Sequence, residues 1–263
     1  MLPVDCPGAT DDNRTASGWE RSSAKGRGPC ASVAAHQSHY VGRTPSQSCD
    51  FERAVFCGTL YFMDDLQART QKELADIVSI LTELTGLPSR WSGRVELVPD
   101  AEFKGRKRQM CDIRIDAALA AQDERWPTLV HESLHSISAG YNANDFRDFR
   151  GWEEGVVEKL QQIYRPIILE RLGIKIADST FLAEGLHNFN AYIAALESLR
   201  LLRKDSISPD ETPEEFYLGL LRLPIKDRPD VIVGVCFEMQ PPQRGVFVAA
   251  FSKANSVLKT RIN

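Results

Sequence analysis

The string His131-Glu132-Ser133-Leu134-His135 constrains this chain more than any other stretch. Its two histidines can share one partner if the segment is a helix, where residues four apart lie on one face with Cβ atoms about 5–6 Å apart. The flanking residues agree with a helix. Pro127 suits a first turn, where its missing N–H would be unpaired anyway. Leu129, Val130, Leu134 and Ile137 then supply an apolar face. Two imidazoles so placed can reach one metal ion at zinc–nitrogen distances of roughly 2.0–2.1 Å. Glu132 falls about 100° round the helix from His131, beside the ion rather than on it. From there a carboxylate can take a proton from water whose pKa zinc has lowered from about 15.7 to near 7. The competing reading is two solvent-facing histidines on an amphipathic helix.

A second cluster follows. Eighteen residues separate His135 from Glu154, in the local text Gly151-Trp152-Glu153-Glu154-Gly155. HExxH followed at this distance by a glutamate resembles the gluzincins, the zincin peptidases that include thermolysin-like enzymes and the alanyl-aminopeptidase group. The resemblance is specific over residues 126–158. It implies that His131, His135 and Glu154 hold one zinc ion (Zn2+), that Glu132 is the general base, and that the substrate is a peptide or protein. It also implies a zincin-like α+β fold. Glu153 is the fallback ligand, and either glutamate would also suit a helix N-terminus electrostatically. Gly155 costs about 1 kcal/mol relative to alanine inside a helix, and close approach of the two active-site helices would explain it. Glu158, four residues after Glu154, is placed to hold His131 from outside the metal, as an aspartate does in thermolysin-like enzymes. For the group that stabilises developing negative charge, Tyr192 and His187 are the candidates, with Tyr164 and Tyr141 behind them. Packing or surface roles compete for each. No GxMEN-like string occurs, so aminopeptidase activity is not supported.

Elsewhere the patterns are coarser. Residues 1–62 are read as a disordered or non-domain tail, because the first fifty are rich in Gly, Ser, Thr, Pro and Arg without apolar periodicity. Met63 is a candidate internal start. Residues 63–263 are assigned to one domain: a small mixed sheet packed on the active-site helix, with a mainly helical part from about residue 152. Leu74, Ile77, Val78, Leu81 and Leu84 predict a helix ended by Gly86 and Pro88. Strands are expected at Val95–Val98 and at 110–115, the latter half-buried, at an edge, and able to hold an extended peptide. The basic run 104–108 reads as a solvated turn. Helices are expected over 152–169, with Pro166 kinking or breaking it, over 190–203, and from a capping box at Thr212 to about Leu223. The segments 231–237 and 246–251 suit either a hairpin or two buried helices.

The net charge of −4 gives no whole-chain signal for nucleic acid or a membrane surface. The six cysteines form no CxxC pair, and the opening residues lack a basic start followed by an apolar core. The expectation is a cytoplasmic protein with free thiols. Two other classes compete: an inactive zincin-like metal-binding regulatory or assembly protein, and a helical interaction module with no metal. Glu132 favours activity, because a purely structural site has no use for a base beside the metal.

Overall fold

A computed structural model of the chain describes residues 48–107, 112–177 and 188–260, with side chains from Met63 onward. The expected helix is present and extends upstream of residue 63. Helix α1 spans Ser48–Thr85, and residues 48–263 form one unit. Leu66, Leu74, Ile77 and Leu81 are buried along one face of it. It stops where Gly86 turns to φ +68°, a conformation that glycine adopts without penalty.

Three short strands follow: β1 (Val95–Val98), β2 (Gly105–Lys107) and β3 (Ile113–Asp116). Their order is β1-β3-β2. β1 runs parallel to β3, with Val95 opposite Ile113, while β2 runs antiparallel, with Arg106 opposite Arg114. Two expectations change here. The segment 104–108 is not simply a turn, because Gly105–Lys107 pairs as a strand. The strand expected at the edge is central, and β2 takes an edge instead. Met110 and Cys111 lie outside the described residues. Ile113 and Ile115 point into the core, as alternation demands of a strand with one face buried. At the β1 edge, the Gln67 amide of α1 donates to Val95 O at 2.8 Å and accepts from Leu97 N at 3.4 Å.

The remainder is helical: α2 (Ala117–Ala120), α3 (Arg125–Ile137), α4 (Ala143–Asp148), α5 (Arg150–Arg171), α6 (Asn190–Ser206), α7 (Pro213–Leu221), α8 (Arg228–Gly234) and α9 (Pro241–Lys259). Asp116 caps α2, and the Thr212–Glu215 capping box opens α7 as its spacing predicts. Pro166 sits inside α5, which continues to Arg171. Tyr164, Ile168 and Leu169 around it are buried, and that packing offsets the cost of the lost hydrogen bond. The segments left open between hairpin and helix are helical. In α9, Phe247, Ala254 and Leu258 recur seven and four residues apart on the buried face, a helical period.

Helix α3 is the centre of the unit. It packs against α1, α5 and β2, and residues 129–137 are all buried, polar side chains included. Ser133 and Ser136 return their hydroxyls to carbonyls of the same helix at 2.7 and 2.6 Å, and the Ser136 hydroxyl also meets that of Ser89 at 2.8 Å. Among the described residues, no helix is long and apolar enough to cross a membrane.

Candidate metal centre

Helix α3 presents His131 and His135, and α5 presents Glu154 against them. Three atoms converge. His131 Nε2 lies 3.1 Å from His135 Nε2 and 3.1 Å from Glu154 Oε2, and His135 Nε2 lies 3.5 Å from the same oxygen. A tetrahedral ion with bonds of roughly 2.0–2.1 Å separates its ligand atoms by about 3.3 Å. The observed triangle fits that edge on all three sides. All three residues are buried and form a group able to hold one ion.

Each histidine is turned by a carboxylate behind it. His131 Nδ1 is 2.9 Å from Glu158 Oε2, and His135 Nδ1 is 2.8 Å from Glu153 Oε1. Donation from Nδ1–H fixes the tautomer that leaves the Nε2 lone pair facing the shared point. Glu153, the fallback ligand in the sequence, is thus committed to orienting His135. It accepts from Ser138 Oγ at 2.9 Å and pairs with the Arg228 guanidinium at 2.7 Å. Arg228 is itself fully buried and donates further to Ser138 Oγ and Trp152 O.

The electrostatics follow from this arrangement. Burial opposes the charge on Glu153, but Arg228, His135 and Ser138 outweigh it and hold its carboxyl at about 2. Glu154 is likewise held well below the usual carboxylate range, burial being overcome by both histidines. In the same way burial opposes a proton on either imidazole, while the carboxylates raise both, His131 most. The cluster is built to hold positive charge, whether protons or a divalent cation.

These groups open on a cavity of about 340 Å3. Glu132 lines it beside the histidines, as its position on the helix predicts. It is set by a close approach of β2: a Cβ on Gly105 would collide with Thr128 Cγ2 and come within 3.0 Å of Glu132 Oε1. Phe103, Phe146 and Phe189 form apolar wall, with Phe189 stacked on His131 at 5.9 Å between centroids. Arg106 and Arg150 also face the cavity.

Tyr141 reaches the cavity, its ring 5.4 Å from that of His135. Burial first, then Glu153, Glu132 and Glu154, push its phenol far up and keep its proton on. Tyr192 does not line the cavity. It is fully buried on α6, and its hydroxyl donates to Thr260 O at 2.6 Å. Tyr164 is buried within α5, away from the cavity lining. His187 lies outside the described residues.

Gly155 has a different reason from the one expected. A Cβ there would come within 3.0 Å of Leu196 Cδ1 and Tyr192 Cβ, so the close approach is between α5 and α6, not α5 and α3. Gly151 serves the same packing, against the Leu258 carbonyl of α9. Sequence reasoning missed Arg228, Ser138, Arg150, Arg106 and Phe189. Arg150, one turn before Glu154, and Ser138, three residues after His135, stood close enough in sequence to be flagged by helical spacing.

Comparison with protein-family models, with curated proteins and with solved structures gave no match.

Proposed function

We propose that this protein is a zinc-dependent metallopeptidase with a zincin-like domain. The observation that carries the reading is the triangle of His131 Nε2, His135 Nε2 and Glu154 Oε2, each side between 3.1 and 3.5 Å. Both imidazoles are oriented by their own carboxylates, and a further carboxylate, Glu132, stands in the same cavity. Two imidazoles and one carboxylate are the donor set of hydrolytic zinc sites that leave a position open. His131, His135 and Glu154 would hold the ion. When bound, zinc lowers the pKa of water and polarises a carbonyl oxygen.

The chain supplies the rest. Glu132 takes the proton of the attacking water and returns it to the departing amine. The protonated Tyr141 donates to the carbonyl oxygen as negative charge develops there. Phe146 and Phe189 exclude bulk water beside the histidines. β2 replaces segment 110–115 as the strand edge at which an extended peptide aligns. The peptide as substrate is supported by the likeness of HExxH, the eighteen-residue gap and Glu154 to the gluzincin pattern.

The test combines elemental analysis of the purified protein with turnover of a peptide library, using Glu132→Gln as control. Stoichiometric zinc with Glu132-dependent cleavage supports the proposal. Protein that carries no zinc and binds none tightly overturns it. Zinc without turnover moves the reading to the inactive regulatory or assembly class.

A further inference from the structure

The cavity wall that faces the metal triangle carries two guanidinium groups with donors to spare. Arg150 uses Nε to donate to Glu154 Oε1 at 3.3 Å. Its guanidinium carbon lies 5.9 Å from the ring centroids of both Phe146 and Phe189. Arginine has five N–H donors in a fixed fork. Among the described residues, none but Glu154 accepts from Arg150, so its two terminal NH2 groups remain available. The side chain is 33% exposed, consistent with access from the cavity. Arg106, on the edge strand β2, lines the same cavity and has no carboxylate partner among the described residues. The contrast with Arg228 is informative. Arg228 is fully buried and saturated by Glu153, Ser138 and backbone carbonyls, so it is structural.

Placing a guanidinium between two aromatic faces holds its plane while leaving its edge free. That edge matches a carboxylate, which can accept two parallel N–H bonds. A small, partly enclosed cavity also focuses the field of like charges on its rim. On the metallopeptidase reading, the bound chain enters between these arginines and Glu132.

We propose that the site selects peptides that carry a carboxylate close to the scissile bond, bound by Arg150 and Arg106. The inference rests on the peptide-binding reading of the cavity. Its ligand chemistry is a carboxylate from either an Asp or Glu side chain or a free C-terminus, and the experiment separates those sources.

Zinc-loaded Glu132→Gln protein, in which turnover is slowed by about 10^2–10^4-fold, is titrated with fluorescent peptides of one sequence. One set carries Asp or Glu at successive positions, a second carries the Asn or Gln counterparts, and a third has amidated C-termini. The same peptides are assayed for cleavage by the wild-type enzyme. Binding at least about tenfold tighter for acidic than for amide peptides is expected, with the preference lost or reversed in Arg106→Glu. Sensitivity to side-chain replacement assigns an internal acid, and sensitivity to amidation assigns the C-terminus. Equal affinity for charged and neutral peptides overturns the inference even if cleavage is seen. An acid preference in binding, without cleavage by the wild-type protein, supports the inference and overturns the peptidase reading.

Discussion

At the scale of single residues, the proposed function gives Glu132 a chemical role and Glu153 a supporting one. Glu132→Gln is expected to lower kcat by about 10^2–10^4-fold, the usual worth of a general base, with zinc content unchanged by elemental analysis. Glu153 works through its ion pair. Arg228→Met leaves that carboxylate buried without its guanidinium partner, a change that costs up to about 3–5 kcal/mol, measurable by urea unfolding of the metal-free protein. The pair also sets a pH dependence. Glu153 is held at about 2 against an ordinary value of 4.5. Its contribution to stability is therefore complete above pH 4.5 and lost as the pH falls from there towards 2. Urea melts at pH 7 and pH 3 should show this loss, and Glu153→Gln should remove that part of it; an unchanged pH slope in the variant would contradict the assignment. The residues that sequence made legible share one property. His131, Glu132 and His135, and separately Glu154 and Glu158, are fixed relative to one another by the period of a helix. Arg228 was not legible, because only tertiary packing brings it, from far along the chain, against Glu153.

At the scale of elements, two glycines decide whether the site's helices and strand can sit where they do. Gly155→Ala forces a methyl against Tyr192 and Leu196. Overpacking of this kind costs about 1–3 kcal/mol, and the unfolding midpoint should fall with little change in the pattern of cleaved peptides. Gly105→Ala is expected, on the proposed function, to act on chemistry instead, since its methyl meets Thr128 and Glu132. Its expected signature is a reduced kcat with zinc retained, read by steady-state kinetics beside metal analysis. Parallel loss of zinc would mean that β2 positions the ligands as well. The strands show why some elements were readable. Ile113 and Ile115 alternate with polar residues, so β3 announced itself. β2 is three residues long and bears the exposed, charged Arg106, and edge strands tolerate charge because only one side must pair. The short apolar runs after residue 230 lacked a period long enough to separate strand from helix.

At the scale of the whole molecule, the α+β class and the small sheet beside α3 could be read from patterns, while the support behind α5 could not. That support comes from α6 and α9. Trp152 Nε1 donates to Asn255 Oδ1 at 3.1 Å, Tyr192 donates to Thr260 O, and Gly151 abuts Leu258. A chain ending at Gln240, which lacks α9, is expected to bind zinc far more weakly than the full chain; competition with a chromophoric chelator measures the difference. Equal affinity would show that α5 needs no such brace. The brace has a consequence in time. A chain is made from its N-terminus, so His131, His135 and Glu154 emerge well before the segment that steadies the helix carrying Glu154. A growing chain holds the candidate ligands before the segment that braces them, so on the proposed reading the site would be complete only once α9 has left the ribosome and docked.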